Sequence, residues 1–344
     1  MEVHIPRVSI IILNWNGWKD TIECLESLYK ISYPNYDVIV IDNGSRDGSV
    51  ESISLYAKGD LAVNSKFFKF SQDNKPIKTW KCTKEEADRG KRPGEDIIAL
   101  PSNRRMIIIE NDKNYGFAEG CNIGIKYACR DSDPEYVLLL NNDTVVHEDF
   151  LSELIDIAKQ DEAIGFAGPM IYYYDFQGRT DVINAAGMRL NLWKGTHTNE
   201  GLFEVDRGQH DIMKNVDYVE GSCMLARRDM LDKIGLLDSR YFAYWEETEL
   251  CVRGSRLGYR SVYVPKSKIW HKVSVSTANI TKPYYLTRNK FWFMRKHASR
   301  TQLAFFFSYY FSYQLWRDIW FFVREKDFKN LPPFFKGLLD GLVR

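Results

Sequence analysis

Residues 8–17, VSIIILNWNG, and 38–49, VIVIDNGSRDGS, decide the fold. Each opens as an unbroken, largely β-branched run, the pattern of a strand buried on both faces, and turns polar at one point, Asn14 and Asp42. Between the runs Trp18, Ile22, Leu25 and Leu28 recur at helical spacing, and a further helix can start near Asp47. The unit reads strand, helix, strand, with a right-handed crossover. The rhythm returns with MIIIE at 106–110, an expected helix over about 118–129 and YVLLLNND at 136–143. The expected fold class is α/β, a mostly parallel central sheet flanked by helices. In such sheets ligands bind at the carboxyl ends of the strands, where Asn14, Asp42 and Asp143 stand.

Outward from this core the pattern changes three times. Residues 58–105 are charged and aperiodic and read as an insertion, with a local helix expected over 83–91. After residue 160 the chain reads as mixed and partly antiparallel: a hairpin around 182–193, a strand in VDYVEGSCMLA at 216–226, a helix from about Glu246 to Leu257, then SVYVP. Residues 282–344 form an aromatic-rich, basic helical extension. They hold 19 of the 49 aromatic residues and twelve Lys/Arg against four Asp/Glu, a net +8. The whole chain of 344 residues carries only +1, so the remainder is near −7. That division sets one domain at 1–281, with a first half of about 1–145 and a second of about 146–281, apart from the tail.

The composition excludes several classes. A net charge of +1 is not that of a nucleic-acid binder, and no nucleic-acid partner is expected. Six scattered cysteines without a CxxC pair make neither a disulfide framework nor a zinc ribbon, so a reduced, cytoplasmic chain is expected. The first 17 residues lack a basic lead and a small-residue cleavage site and are not expected to act as a signal peptide.

Three constellations can carry chemistry. IDNGSRDGS offers a carboxylate, amides and turn glycines together, suited to a nucleobase or ribose, or simply a turn and helix cap. NYGFAEGCN at 114–122 places Gly116 and Gly120 at a helix start, where backbone amides can face a diphosphate. Neither GxxxxGK[ST] nor GxGxxG is present. Asn141, Asn142 and Asp143 end a buried strand, and Asp143 is placed either to hold a hard divalent cation or to make an Asx turn. In YFAYWEETEL at 241–250, Glu246, Glu247 and Glu249 crowd a helix start, which the helix dipole alone would favour. The aromatic run before them can instead wall a carboxylate and raise its pKa towards general-base work. His271 stands at another strand end, structural by itself and a ligand candidate beside Asp143.

In order, VSIIILNWNG, VIVIDNGSRDGS, NYGFAEGCNIGI, YVLLLNNDTVV, VDYVEGSCMLARRDML, FAYWEETELCVRGSRLGYRSVYVP and the Trp270–His271 pair resemble a family-2 glycosyltransferase of the GT-A fold, in its rhamnosyltransferase-like and galactofuranosyltransferase-like branches. The resemblance covers most of residues 7–275. It implies a Rossmann-like sheet, a nucleotide-diphosphate sugar donor, a glycan or lipid-linked glycan acceptor, and inverting transfer assisted by Mn2+ or Mg2+. It implies Asn14 and Asp42 near the nucleobase, Asn114 and Gly116 near the sugar diphosphate, and Asn141-Asn142-Asp143 as the DxD element with Asp143 and His271 on the metal. Glu247 matches the catalytic base, and Glu246 and Trp245 would meet the acceptor. Two departures stand out: Asn141 replaces the first acid of DxD, and Glu stands where the base is commonly Asp. A sugar nucleotidyltransferase and an inactive nucleotide-sugar-binding protein are the alternatives, though LNWNGW lacks the basic glycine-rich loop of the former.

The tail segments 284–298 and 302–323 read as helices. Gln314, Arg317 and Asp318 interrupt the second, so an interfacial helix pair on an anionic membrane is expected rather than a span. Packing against the catalytic domain, or contacts in a homo-oligomer, are the other uses. The implied location is peripheral, on the inner face of the cell membrane.

Overall fold

The computed structural model describes residues 4–273 and 282–343. β1 (Val8–Asn14) and β2 (Tyr36–Asp42) pair in parallel across α1 (Trp18–Leu28). After α2 (Ser49–Lys58) come β3 (Lys78–Thr83), α3 (Lys84–Asp88), α4 (Glu95–Ile98) and β4 (Arg105–Glu110), then α5 (Gly116–Asp131) and β5 (Tyr136–Asn141). These five strands lie parallel in the order β5-β1-β2-β4-β3. The register sets Asn14 beside Asp42 and Leu13 beside Asn141, so the polar strand ends meet along one edge, as the α/β reading requires.

The second half extends the same sheet with reversed strands. β6 (Thr144–Val146), α6 (Phe150–Ala158), β7 (Ile164–Tyr173), β8 (Ile183–Ala185), β9 (Met188–Asn191), β10 (Thr196–Asn199), β11 (Lys214–Val216) and β12 (Cys223–Arg227) precede α7 (Arg228–Ile234), α8 (Glu246–Arg256) and β13 (Arg260–His271). β12 runs antiparallel to both β5 and β7, while β13 runs parallel to β7 and antiparallel to β6 and β11. The β6 pairing sets His271 opposite Thr144, next to Asp143.

Three expectations change. The insertion contributes a strand: β3 reads KTWKCT, a mostly polar edge strand without the apolar run that marks buried strands. Its helix is shorter than 83–91 and starts at a capping box between Thr83 and Glu86. The hairpin lies at β9 and β10 rather than at 182–193, because Asn191 accepts the Trp193 and Lys194 amides to make the turn, while β8 joins β7. The insertion is also anchored: Lys75 reaches buried Glu26 of α1 at 2.8 Å, and the Tyr56 hydroxyl of α2 donates to the same carboxylate at 3.0 Å.

The tail folds as α9 (Lys282–His297), α10 (Arg300–Tyr309), a π-helical turn Tyr310–Gln314, α11 (Leu315–Arg324) and α12 (Leu331–Val343), the last not foreseen. Gly337 and Gly341 let α12 approach α9, since a Cβ at Gly337 would meet the Tyr284 carbonyl. Phe291, Phe293 and Met294 of α9 share a core with Tyr241 and Trp245. The first tail helix is therefore built into the body. Among the described residues no helix is long and apolar enough to cross a membrane. All six cysteines are free thiols.

Candidate active site

A cleft of about 280 Å³ opens over the carboxyl edge of the sheet. Asn141, Asn142 and Asp143 bring the end of β5 to it, Glu220, Gly221 and Ser222 the approach to β12, Glu246 and Glu247 the start of α8, and His271 the end of β13. Asn114, Gly116 and Asn43 close the side beneath α5.

On one wall His271 Nε2 meets Asp143 Oδ1 at 3.1 Å, with both side chains nearly buried. Burial favours the neutral form of each, but their mutual attraction wins, so the Asp143 carboxyl is held below and the His271 imidazole above its ordinary value. His271 Nδ1 faces Glu220 Oε1 at 3.8 Å. Glu220, which the sequence reading did not single out, has its pKa raised by burial, with His271 opposing.

The other wall is tuned the opposite way. Burial, with the Glu220 charge adding to it, pushes the Glu247 carboxyl up to about 7. Glu246 is likewise raised well above its ordinary value, by burial and by Glu247. His271 Nδ1, Glu220 Oε2, Glu246 Oε2 and Glu247 Oε2 are buried atoms without a hydrogen-bond partner among the described residues. Four orphaned polar atoms around one cleft are the signature of a site built for a polar ligand.

The side beneath α5 is held by amides. Asn43 donates to Asn114 Oδ1 at 2.9 Å and to the Gly116 carbonyl at 3.1 Å, and accepts from Asn111 and from the Tyr115 amide. Asn114 Oδ1 also accepts the Gly116 amide at 2.8 Å. Gly116 has φ of +83°, and a Cβ there would strike Phe242, so glycine is required for the helix start to close on the cleft.

Some expected residues are elsewhere. Asn14 and Asp42 are buried and bonded to each other at 2.7 Å; Asn14 further binds Ser45 and Thr21, and neither lines the cleft. Trp245 also misses it: its ring is 3% exposed and packs between Phe293 and His197, because its left-handed backbone turns the side chain into the core. Asn142 lines the cleft while its amide reaches back to Thr21 at 3.0 Å. Lys282, at the start of α9, is a cation on the cleft rim that sequence reasoning assigned to the tail. Nothing in sequence links it to residues 143 or 247; only the fold of α9 does.

Asp143 and His271 are the donors a metal would find. Among the described residues no group of three or more His, Cys, Asp or Glu is arranged to hold one. Two donors suffice for a cation completed by substrate phosphate and water, so one carboxylate beside one imidazole fits Mn2+ or Mg2+.

Residues 83–303 match the model of the glycosyltransferase-like family 2, and residues 9–79 that of glycosyl transferase family 2. The chain belongs to glycosyltransferase family 2. Among curated members, a low-salt glycan biosynthesis hexosyltransferase of Haloferax volcanii is 30% identical over 152 residues, which span 43% of this chain and 46% of that one. The N-acetylglucosaminyl-diphospho-decaprenol L-rhamnosyltransferase of Mycobacterium tuberculosis is 26% identical over 211 residues, or 56% of this chain and 66% of the relative. The matches thus leave a third or more of each relative uncovered. The fold is similar to that of a mannosyltransferase from Pyrobaculum calidifontis, solved in complex with GDP-Man and Mn2+, with a TM-score of 0.57 at 13% identity over 99% of this chain and 88% of that chain. The likeness establishes the GT-A architecture of this family-2 chain.

Proposed function

We propose that this family-2 member transfers a sugar from a nucleotide-diphosphate donor to a hydroxyl of a glycan or lipid-linked glycan, with inversion at the anomeric carbon. One observation carries the reading: a single cleft sets a carboxyl tuned to about 7 against an Asp–His pair of opposite tuning. Glu247 takes the proton of the acceptor hydroxyl as its oxygen bonds to the anomeric carbon, and the bond to the diphosphate breaks with its electron pair leaving on the phosphate oxygen. Lys282 and the side-chain amide of Asn114 line the side from which the diphosphate departs. A divalent cation held by Asp143 and His271 would supply positive charge to the same oxygens. No covalent intermediate is needed, so a second nucleophilic carboxylate has no part. Residues 1–281 then act with α9 as the catalytic unit.

A thermal-shift panel of nucleotide sugars with Mn2+ or Mg2+ identifies the donor, since a ligand of the native state raises apparent stability. The wild type is expected to hydrolyse or transfer that donor in a metal-dependent way. Asp143→Ala is expected to lose about 100-fold in rate and all response to added metal; an unchanged metal response overturns its role.

The tail adds a location. Trp316, Trp320 and Phe321 of α11 and Phe328 after it are exposed, with Arg317, Arg324, Lys326 and Lys329 among them. Arg317 and Arg324 pair with Asp318 and Glu325, which leaves Lys326 and Lys329 beside an exposed aromatic face suited to the headgroup zone of an anionic bilayer, where a lipid-linked acceptor resides. The intact chain is expected to float with phosphatidylglycerol vesicles and the Trp316→Ala/Trp320→Ala variant to bind about tenfold more weakly. Failure of the intact chain to float removes the membrane from the account.

A further inference from the structure

The loop leading into the two cleft carboxylates is strained. Phe242, Tyr244 and Trp245 have φ of +66°, +69° and +76°, a left-handed backbone that non-glycine residues rarely adopt. Three such residues in four positions are costly and persist only where the surroundings over-determine them. The surroundings here are two adjacent side chains of α9. Asn289, fully buried, places its amide nitrogen 2.9, 2.8 and 2.8 Å from the carbonyls of Tyr241, Ala243 and Tyr244. Arg288 donates to the carbonyls of Arg240 and Tyr241 at 3.0 and 2.9 Å, and its guanidinium lies 4.0 Å from the centre of the Trp292 ring. Four consecutive-turn carbonyls, 240, 241, 243 and 244, are thereby gripped from one helix.

The loop has two dependents. Its last residue is the N-cap of α8, so its path sets where Glu246 and Glu247 emerge. Its Phe242 carbonyl accepts the Ala118 amide at 3.1 Å, and Phe242 fills the space that Gly116 leaves open. The same loop therefore joins the base side of the cleft to the helix start on the diphosphate side.

We propose that Arg288 and Asn289 are positioning residues, which hold the 240–245 loop in its strained path and so aim Glu246 and Glu247 into the cleft. They touch no reacting atom. The inference rests on the glycosyltransferase reading only for its kinetic arm. Misplacement of a reacting group by about 1 Å costs about 100-fold, so Asn289→Ala is expected to lower kcat by about that factor while the KM for the donor stays within about twofold. Asn289→Ser, which keeps one donor, and Arg288→Lys, which keeps the charge but not the fork, should fall between.

Hydrogen exchange supplies the second arm, and it needs no substrate. In Asn289→Ala the amides of residues 240–250 should exchange faster while those of β1, β2 and β5 keep their protection. Unchanged exchange at 240–250, or a kcat loss matched by equal loss of protection across the sheet, overturns the proposal. If Asn289→Ala does not fold, the graded pair Asn289→Ser and Arg288→Lys gives the same reading. A wild type inert towards every nucleotide sugar would defeat the glycosyltransferase reading, while the exchange arm would still decide the clamp.

Discussion

The first turn of α8 holds acids with opposite fates. Glu246 and Glu247 enter the cleft, where burial and neighbouring carboxylates raise their pKa. Glu249, two residues on, points the other way into a nest of donors: His297 Nε2 at 3.1 Å, Lys296 Nζ at 2.8 Å and Arg253 Nε at 2.8 Å. Burial would raise it too, but the bonds from His297 and Lys296 and the charge of Arg253 hold it below its usual value. The same helical turn thus holds a carboxylate raised by burial and like charge and another neutralised by three donors. The lesson is that identity and helix position do not set an acid's role; the charges that other elements bring to it do.

The sharpest way to break this contrast is to remove each acid in turn. Glu247→Gln keeps the shape of the cleft and is expected to lower turnover by about 100- to 10,000-fold, with donor binding by calorimetry nearly intact. In the wild type the rate should climb as pH passes through about 7, because the base acts only once deprotonated; a flat profile there, or lost donor binding in the variant, would give Glu247 another role.

Glu249→Gln should instead act on the fold. It leaves His297, Lys296 and Arg253 without their carboxylate, and a loss of about 3 kcal/mol in urea unfolding at pH 7 is expected, with turnover per folded molecule far less affected than in Glu247→Gln. Because its folded pKa is lowered, Glu249 contributes stability above the ordinary carboxylate value of about 4.3 and loses it as pH falls below that. The gap between wild type and variant should close in acid.

The smallest effect is of opposite sign. Glu246 has a raised folded pKa, so the native state binds more protons than the unfolded chain above about pH 4.3, and its contribution to stability falls as pH rises. Glu246→Gln removes that cost and should raise Tm by about 2 °C at pH 8 and hardly at all at pH 4. No gain at pH 8 would mean that Glu246 is not destabilising the resting site, and the likeness of the two cleft acids would fail.

Much of this site was legible in the sequence. The runs ending at Asn14, Asp42 and Asn141 gave parallel strands whose ends align, because a β-branched run that stops at a polar residue has few other ways to be buried. Asp143, His271, Glu246 and Glu247 line one cleft, as their motif order implied. What escaped was whatever depended on a distant partner. Glu220 sits in a strand-like run with no local mark of chemistry, and Asn43 and Lys282 matter only because α5 and α9 come to them. The family resemblance implied Trp245 at the acceptor, but its left-handed backbone turns it into the core.

By itself, then, the sequence determined the α/β class, the family and the set of polar residues at the strand ends, since apolar period and motif order are local properties of the chain. Tertiary structure alone decided which acid is raised in the cleft and which is neutralised, that Asn14 and Asp42 bond to each other, and that the basic tail begins at the cleft. Those outcomes rest on burial and on groups brought from elsewhere in the chain, as with His297 and Glu249 at a sequence separation of 48. Desolvation and pairing are properties of a place in the fold, and no local pattern encodes them.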